Sequence, residues 1–542
     1  MRSRSARFLI ALILGATQAW ATRFDMSPDG ISYLNLSDYY MEGDYWHAVN
    51  GYWSPLYPWL IALQRVGLGV SAHWEAPLVH LTNFVCFLIS FATFELLISE
   101  ILRSLKDNSV ERYADSARIF GLAVFLWSAL LLIGLGLPTP DQLVAAIAFG
   151  IGALLLRCVR RPPSLYAYIA LGALAGVGYL AKAVMFPAAL IALFTGLLIA
   201  VLNRLSPRYV IASTIAFAFV AAPQVAAVSL KLRKLTFAET GRIGYGMTVS
   251  GYSYLWAEKT PKNTGIAEHP VTKLSEHPPV FEFVTDWRHT TYPLWDDPSY
   301  FQAGMRPHFS ARRQAEVTGN ILGLYLRLAW KLMLVAIAVA VFCSPRLPFA
   351  SWPVFLFGSG LLGLYALIYS NSRHLGPWLA LTFIALILGF RISSRETGFR
   401  RMRILLTCAS LALCIPLSRE GYRDVAAIAR DDGGFSSQSW LVADELSRLG
   451  LKRGQRVATV GGAFDAYWAR LSGVQISAEI SANDAASYWS ASPPERALAD
   501  RALGASGRTF AVAKDVPTAA NLSGWLPVGK TGYFVLPLRA AP

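Results

Sequence analysis

The sequence predicts a polytopic α-helical membrane protein with about eleven membrane-spanning helices and a small α/β domain outside the membrane. Of the 542 residues, 54% are hydrophobic and only 15% are charged, whereas soluble domains carry about 25% charged residues. Long apolar segments recur up to about residue 420, after which helical and strand-like patterns alternate. These observations predict a membrane domain at 1–420 and an extracytoplasmic α/β domain at 421–542.

Eleven apolar segments account for the predicted crossings, although several are shorter than the roughly 20 residues that span the hydrocarbon core. The segments cover 8–21, 76–102, 117–136, 141–157, 164–181, 184–202, 209–230, 320–342, 350–370, 375–390 and 404–417. The first follows Arg2, Arg4 and Arg7, so it is either a retained helix or a signal peptide cleaved after Ala19-Trp20-Ala21. We expect a retained helix, because the loop that follows needs an anchor at the membrane face.

The distribution of positive charge predicts the orientation, because cytoplasmic connections carry an excess of Lys and Arg. The only Lys and Arg residues of the short outer hairpins are Lys182 and Arg373. With the N terminus in the cytoplasm, the inner connections contain Arg103, Lys106, Arg112, Arg118, Arg157, Arg160, Arg161, Arg204, Arg208, Arg346, Arg391, Arg395, Arg400, Arg401 and Arg403. The first long loop (23–75), the second long loop (231–319) and the C-terminal domain then lie outside a bacterial-type inner membrane.

The formal charge of +15 is explained by this asymmetry. Nucleic-acid binding is not expected, because the chain has no basic stripe with interleaved aromatic residues. The five cysteines lie in or beside apolar segments, without the spacing of metal ligands or of a disulfide framework.

The C-terminal domain is predicted from a helix at 441–449 and a second helix at 465–471, with strands between and after them. The strands cover 456–460, 474–480, 509–513 and 533–538. Gly461 and Gly462 follow the first strand, which is a weak indication of a phosphate-binding turn because the full Gly-x-Gly-x-x-Gly pattern is missing.

The first long loop contains the candidate catalytic carboxylates. A carboxylate at the boundary of water and bilayer can act as a general base, and Asp29 is the leading candidate, with Asp25 second. The alternative is that Asp29 caps an interfacial helix whose first part is formed by residues 31–40. The aromatic residues Tyr33 and Tyr57 of the same loop are candidates for contacts with a substrate.

Three residues in the outer hairpins are candidates for binding a phosphate. They are Lys182, at the end of an apolar segment, and Arg373 with His374, in a tight hairpin. The alternative is that they reach the lipid headgroups without a specific role. Asp141 follows Pro140 and is expected to cap a helix.

The second long loop is rich in Tyr, Trp, His and Pro, and we expect it to cover the cavity and help select the acceptor. Tyr292 and Trp295 are its candidate substrate contacts, at headgroup depth. No metal site is expected, although a divalent metal is left open, because the histidines are scattered rather than set at ligand spacing. These are His269, His277, His289 and His308.

Short motifs in these loops resemble the GT-C glycosyltransferases, in particular glycosyltransferase family 39, which includes protein O-mannosyltransferases and aminoarabinose lipid A transferases. They are Pro-Asp-Gly-Ile-Ser-Tyr at 28–33, Gly-Asp at 43–44, Tyr-Pro at 57–58, Gly-Tyr-Leu-Ala-Lys at 178–182 and Arg-His-Leu-Gly-Pro at 373–377. The resemblance covers about residues 1–420. It departs from the family at Gly30, where a second acidic residue is common, and at His374, where Tyr is usual.

This resemblance implies an inverting transfer of a sugar from a polyprenyl-phosphate donor to an extracytoplasmic hydroxyl, without a nucleotide sugar or a cofactor. Asp29 would be the base, and Lys182 and Arg373 would contact the donor phosphate. The implied partners are the lipid-linked sugar, membrane lipid and an acceptor glycan, lipid or protein.

Two other functions remain alternatives. A secondary transporter or lipid flippase would show repeated halves or ionisable groups at mid-membrane, whereas here the polar residues collect in the outer loops. The other is a non-enzymatic assembly protein whose C-terminal domain binds partners.

Overall fold

The protein, in a computed structural model, is mostly helical, with a mixed β-sheet near the C terminus. The structure describes residues 2–105, 108–252, 271–283, 285, 288–296, 300, 305–343, 345–346, 349–392, 396–430 and 437–538. Its helices in chain order are α1 (Arg2–Ala21), α2 (Pro28–Glu42), α3 (Tyr45–Ala48), α4 (Leu56–Leu68), α5 (Glu75–Ser104), α6 (Ala114–Leu126), α7 (Asp141–Cys158), α8 (Leu165–Ala181), α9 (Met185–Leu202), α10 (Arg208–Lys231), α11 (Thr240–Thr248), α12 (Pro293–Asp296), α13 (Ala311–Phe342), α14 (Trp352–Tyr365), α15 (Ser372–Leu388), α16 (Glu396–Arg430), α17 (Gln438–Arg448), α18 (Tyr467–Ser472), α19 (Ala485–Ser490) and α20 (Pro493–Leu503).

The membrane domain confirms the predicted polytopic helical fold. Seven of the described helices are long and apolar enough to span a membrane: α5, α6, α7, α9, α10, α13 and α16. In this count, α6 includes the wider π-helical turns that continue it to Ile133. Helices α8, α14 and α15 are shorter and apolar, and α1 adds a further helix of 20 residues. Every predicted apolar segment therefore coincides with a helix.

Helix α1 packs against α5 and α16. Inside this contact, the Arg7 guanidinium pairs with the Glu95 carboxylate at 2.8 Å, and both side chains are nearly buried. Pairing compensates two charges that would be costly to bury alone. The expectation that this segment is retained stays a prediction.

Small residues bring α8 close to α10. A Cβ atom added at Gly172 would lie 1.9 Å from the Ser213 carbonyl oxygen, and one added at Gly176 would lie 2.7 Å from Val220 Cβ. Glycines four residues apart let two membrane helices approach closely. This packing fixes the position of α8, and thereby of Lys182, which ends it.

The C-terminal domain contains a seven-stranded sheet of order β1-β2-β6-β5-β7-β9-β8. Its strands are β1 (Thr272–Glu276), β2 (Pro279–Glu282), β5 (Arg456–Val460), β6 (Gln475–Ile480), β7 (Phe510–Lys514), β8 (Leu526–Pro527) and β9 (Tyr533–Pro537), and a separate short pair is formed by β3 (Pro345–Arg346) and β4 (Arg391–Ile392). Strands β6, β5 and β7 are parallel, as expected for an α/β domain.

The second long loop supplies two strands of this sheet. Strand β2 pairs antiparallel with β6, through Phe281 opposite Glu479, and the Phe283 N–H donates to the Ser477 carbonyl at 2.9 Å. This part of the loop is joined to the C-terminal domain, because its edge strand completes the backbone hydrogen bonding of β6. Another part contacts the first long loop, where the Glu239 N–H donates to the Gly51 carbonyl at 2.7 Å. That the loop covers the cavity and helps select the acceptor stays a prediction.

Two polar contacts attach α2 to the rest of the molecule. The buried Asp296 carboxylate accepts hydrogen bonds from Ser32 Oγ and Asn35 Nδ2, both at 2.6 Å. Burial raises the pKa of Asp296 to about 6, although these donors favour its charged form. Arg470 of the C-terminal domain donates to the oxygen of the same Asn35 at 2.6 Å, and it pairs with Asp38 at 2.8 Å and with Glu75 at 2.9 Å. Helix α2 is therefore held by both domains.

Candidate functional site

Four helix ends meet at the end of the membrane domain that faces the C-terminal domain. They are the N-terminal turns of α2, α7 and α15 and the C-terminal end of α8. These turns bring together Asp29, Asp141, Arg373 and Lys182, which we call the charge cluster. The N-terminal turn of a helix favours negative charge, through its free N–H groups and its dipole. Three such turns around one point make a favourable position for an anion.

Asp29 lies in the first turn of α2, and its Oδ2 accepts a hydrogen bond from Arg373 Nη2 at 2.9 Å. The two side chains are each 20% exposed, so the pair is reachable from outside. The alternative interpretation, that Asp29 caps the helix, is wrong. Ser27 is the N-cap, because its hydroxyl accepts from the Gly30 N–H at 3.1 Å, and Asp29 is thereby left available for the ion pair.

Asp141 is the member of the cluster whose role was not predicted from the sequence. It was expected to cap a helix, but Pro140 holds the N-cap position. The buried Asp141 carboxylate instead contacts Lys182 Nζ at 2.5 Å and Arg373 Nε at 3.7 Å, and Thr139 donates to it at 2.9 Å. The sequence did contain an indication of this role, because Asp141, like Lys182, is a charged residue in a hairpin with few other charges.

His374 lies beside the cluster, with its ring stacked on Tyr365 at a centroid distance of 5.9 Å. Its backbone N–H is directed to the Asn371 side chain, which caps α15. Among the described residues, His374 Nδ1 and Arg373 Nε are buried and have no hydrogen-bond partner. The Arg373 guanidinium and the imidazole thus retain unused hydrogen-bonding capacity.

The aromatic candidates of the first long loop lie next to the cluster. Tyr33 packs edge-on against Tyr57 at 4.9 Å and against Trp53 at 5.1 Å. Burial raises the pKa of Tyr33 well above its usual range, and the charges of Asp29 and Asp141 raise it further. Tyr57 donates to Asn83 at 2.5 Å. These rings form an apolar wall beside Asp29.

Asp25, the second candidate base, lies outside the charge cluster. Its carbonyl oxygen contacts His80 Nε2 at 2.8 Å. Burial raises the pKa of its carboxyl, and the nearby His80 opposes this shift. Within the described residues, no ion pair joins Asp25 to Lys182 or Arg373.

Tyr292 and Trp295 both contact the C-terminal domain. The Tyr292 hydroxyl donates to Glu479 at 2.8 Å, and both rings pack edge-on against Phe464. Trp295 also packs edge-on against Trp53 at 6.3 Å, so it joins the aromatic group that contains Tyr33 and Tyr57. Whether they contact a substrate stays a prediction.

The histidines of the second long loop lie apart from one another where the structure describes them. His289 pairs with Glu42 at 2.7 Å, and the His308 backbone is bonded to Ser250. His269 lies outside the described residues. In the described part of the chain, no group of three or more His, Cys, Asp or Glu could hold a metal ion.

A crevice of about 670 Å³ separates α2 from the C-terminal domain. It is lined by Asn35, Asp38 and Glu42 of α2. At about 100° per residue, these positions lie on the face of α2 opposite to Asp29. The crevice also contains carboxylates and several arginines, but it is separate from the charge cluster. We consider the charge cluster the better candidate site because it lies at the ends of four helices of the membrane domain, three of them N-terminal turns.

The arrangement of the cluster suits phosphate chemistry. Its two carboxylates balance Lys182 and Arg373, so the cluster is formally neutral with an uncharged His374. The partly exposed pair, Asp29 with Arg373, can separate when an anion binds to the guanidinium. A carboxylate beside a bound phosphate group can then accept a proton from a hydroxyl.

The membrane helices, the charge cluster at their end and the attached α/β domain define a polytopic membrane protein of the GT-C fold. The crystal structure of ArnT from Cupriavidus metallidurans in the apo state shares this fold, with a TM-score of 0.54 and 12% identity over 99% of this chain and 100% of that chain. At this identity the likeness shows the fold alone.

Two further solved structures resemble this chain with lower TM-scores. ArnT from C. metallidurans bound to undecaprenyl phosphate gives a TM-score of 0.41 and 14% identity, over 99% of each chain. The oligosaccharyltransferase AglB from Archaeoglobus fulgidus, in complex with an inhibitory peptide and a dolichol-phosphate, gives 0.48 and 11% identity, over 94% of this chain and 69% of that chain. No family model and no curated protein matches the chain by sequence.

Proposed function

We propose that the protein is a membrane glycosyltransferase that transfers a sugar from a polyprenyl-phosphate donor to an acceptor hydroxyl outside the cytoplasm. The observation that carries this proposal is the pairing of Asp29 with Arg373, next to Lys182 and Asp141. The shared fold supports it, because ArnT has been crystallised with undecaprenyl phosphate. The orientation and the bacterial-type inner membrane belong to the same proposal.

In this mechanism the donor phosphate binds Arg373 and Lys182 and takes the place of Asp29 on the guanidinium. Asp29 then accepts the proton of the acceptor hydroxyl while that oxygen attacks the anomeric carbon. The bond between the anomeric carbon and the phosphate oxygen breaks, and its electron pair remains on the phosphate. The two cations stabilise the leaving phosphate. Attack opposite the leaving group inverts the anomeric centre.

Reconstitution in proteoliposomes tests this function against the alternative of a transporter or flippase. We expect the purified protein to release polyprenyl phosphate from a synthetic polyprenyl-phosphate sugar when cell-envelope acceptors are supplied. Mass spectrometry would detect the glycosylated acceptor and show the product. Movement of the intact donor across the bilayer without any release of polyprenyl phosphate would contradict the proposal and favour the flippase.

A further inference from the structure

A cavity of about 260 Å³ lies in the C-terminal domain, at the carboxyl ends of the parallel strands β5 and β6. The segment 461–464 after β5 and the segment 481–484 after β6 form two of its walls. In open α/β sheets, ligands bind in the crevice outside the carboxyl ends of the strands. The cavity thus occupies the position where this type of sheet holds a ligand, well separated in sequence from the charge cluster.

A buried carboxylate forms part of the cavity wall. Glu479 is only 4% exposed, and Tyr292 donates to its Oε2 at 2.8 Å. Burying a carboxylate is costly unless hydrogen bonds compensate it. Asp484 lines the same cavity and accepts from Ser481 at 2.6 Å. Two acidic side chains therefore face a space large enough for a small ring.

Aromatic side chains form part of the remaining surface. Phe281 and Phe464 line the cavity, and both are half-buried. A cavity that combines aromatic faces with a few placed polar groups is typical of a small-molecule site. Carboxylate oxygens accept hydrogen bonds from hydroxyl or ammonium groups, while a ring face can cover the C–H groups of a sugar. The lining therefore matches a saccharide.

The charge of the lining disfavours an anion. The lining contains one cation, Lys273, which pairs with Glu276, and two acidic side chains, Glu479 and Asp484. Placing a phosphate beside them would bring like charges together. The weak indication of a phosphate turn at Gly461 and Gly462 is thus opposed by the surrounding residues, and the glycines provide space instead.

We propose that this cavity binds one sugar unit of a saccharide chain, either neutral or bearing an amino group. The identification of that chain as the acceptor rests on the transferase function proposed above, whereas the binding itself does not. The C-terminal domain then holds the saccharide through Glu479 and Asp484.

A cavity-filling substitution tests this site. Gly462 lines the cavity, a Cβ atom there would meet no atom within 4 Å, and its backbone does not have a positive φ. Gly462→Phe is therefore expected to obstruct the cavity without backbone strain. Gly421→Phe is the matched control, since a Cβ at Gly421 also meets no atom within 4 Å but lies on α16. Glu479→Gln removes the charge and preserves the shape.

The measurement is the binding of the full-length protein, in lipid nanodiscs, to an array of neutral, amino and phosphorylated oligosaccharides. We expect binding to neutral or amino saccharides, its loss in Gly462→Phe, weaker binding in Glu479→Gln and no change in Gly421→Phe, at equal thermal stability. Lack of binding to every saccharide, binding to phosphorylated ones alone, or unchanged binding by Gly462→Phe would overturn the proposal. Binding needs no donor, so a failed transfer assay with intact saccharide binding would contradict only the transferase function.

Discussion

Replacing Asp29 with asparagine is expected to abolish sugar transfer while the protein still folds and inserts into the membrane. Asparagine can still accept a hydrogen bond from Arg373, so the contact at 2.9 Å is retained in part. It cannot accept the proton of the acceptor hydroxyl. The loss of a positioned general base lowers a rate by about 10²- to 10⁴-fold. The measurement is the initial rate of transfer from a synthetic polyprenyl-phosphate sugar in proteoliposomes.

Asp25→Asn is the matched control for this experiment. Asp25 belongs to the same loop and was the second candidate base, but in the structure it has no ion pair with Arg373 or Lys182, and its carbonyl contacts His80. We expect nearly full activity in this variant. Equal activity of Asp29→Asn and the unmodified protein would show that Asp29 is not the base, and a selective loss in Asp25→Asn would transfer the role to Asp25.

Replacing Arg373 with alanine is expected to weaken donor binding strongly. Arg373 is the residue that contacts both carboxylates of the cluster, and in the proposed mechanism it binds the donor phosphate. A hydrogen bond to a charged group contributes about 1.5–3 kcal/mol, which corresponds to about a 10- to 100-fold change in affinity. We therefore expect the KM for the donor to rise by about that factor. Steady-state kinetics with varied donor concentration measure it.

Two further variants show whether a raised KM comes from the lost positive charge of Arg373 or from a general effect of removing an arginine. Arg373→Lys should recover part of the affinity, because it restores a positive charge without the planar guanidinium. Arg423→Ala removes an exposed arginine of α16, paired with Glu420, and should leave the KM unchanged. A normal KM for the donor in Arg373→Ala, with intact thermal stability, is the outcome that excludes phosphate binding by Arg373.

The membrane fold could be predicted from the sequence because a helix that crosses a bilayer must be long, apolar and internally hydrogen-bonded. Each predicted apolar segment is a helix in the structure. The strands of the second long loop could not be predicted in the same way. Strand β2 is short, and its partner β6 lies almost two hundred residues further along the chain, so no local pattern connects them.

The cations of the candidate site could be predicted because they lie in hairpins that contain few charged residues. Lys182 and Arg373 are the cations of the short hairpins that are predicted to lie outside. The structure brings both of them to Asp141, and it brings Arg373 also to Asp29. Asp141 was missed because an aspartate after proline at a helix start is a common capping pattern. Tyr292 was selected for its place in an aromatic segment, but its position depends on Glu479, a contact that only the folded domain creates.

The most direct test of the donor site is an experimental structure of the protein with undecaprenyl phosphate in a lipid nanodisc. The phosphate is expected within hydrogen-bonding distance of Arg373 and Lys182, with Asp29 released from the guanidinium and turned toward the acceptor side. A phosphate bound elsewhere, with the Asp29–Arg373 ion pair intact, would contradict the assignment of the charge cluster as the donor site.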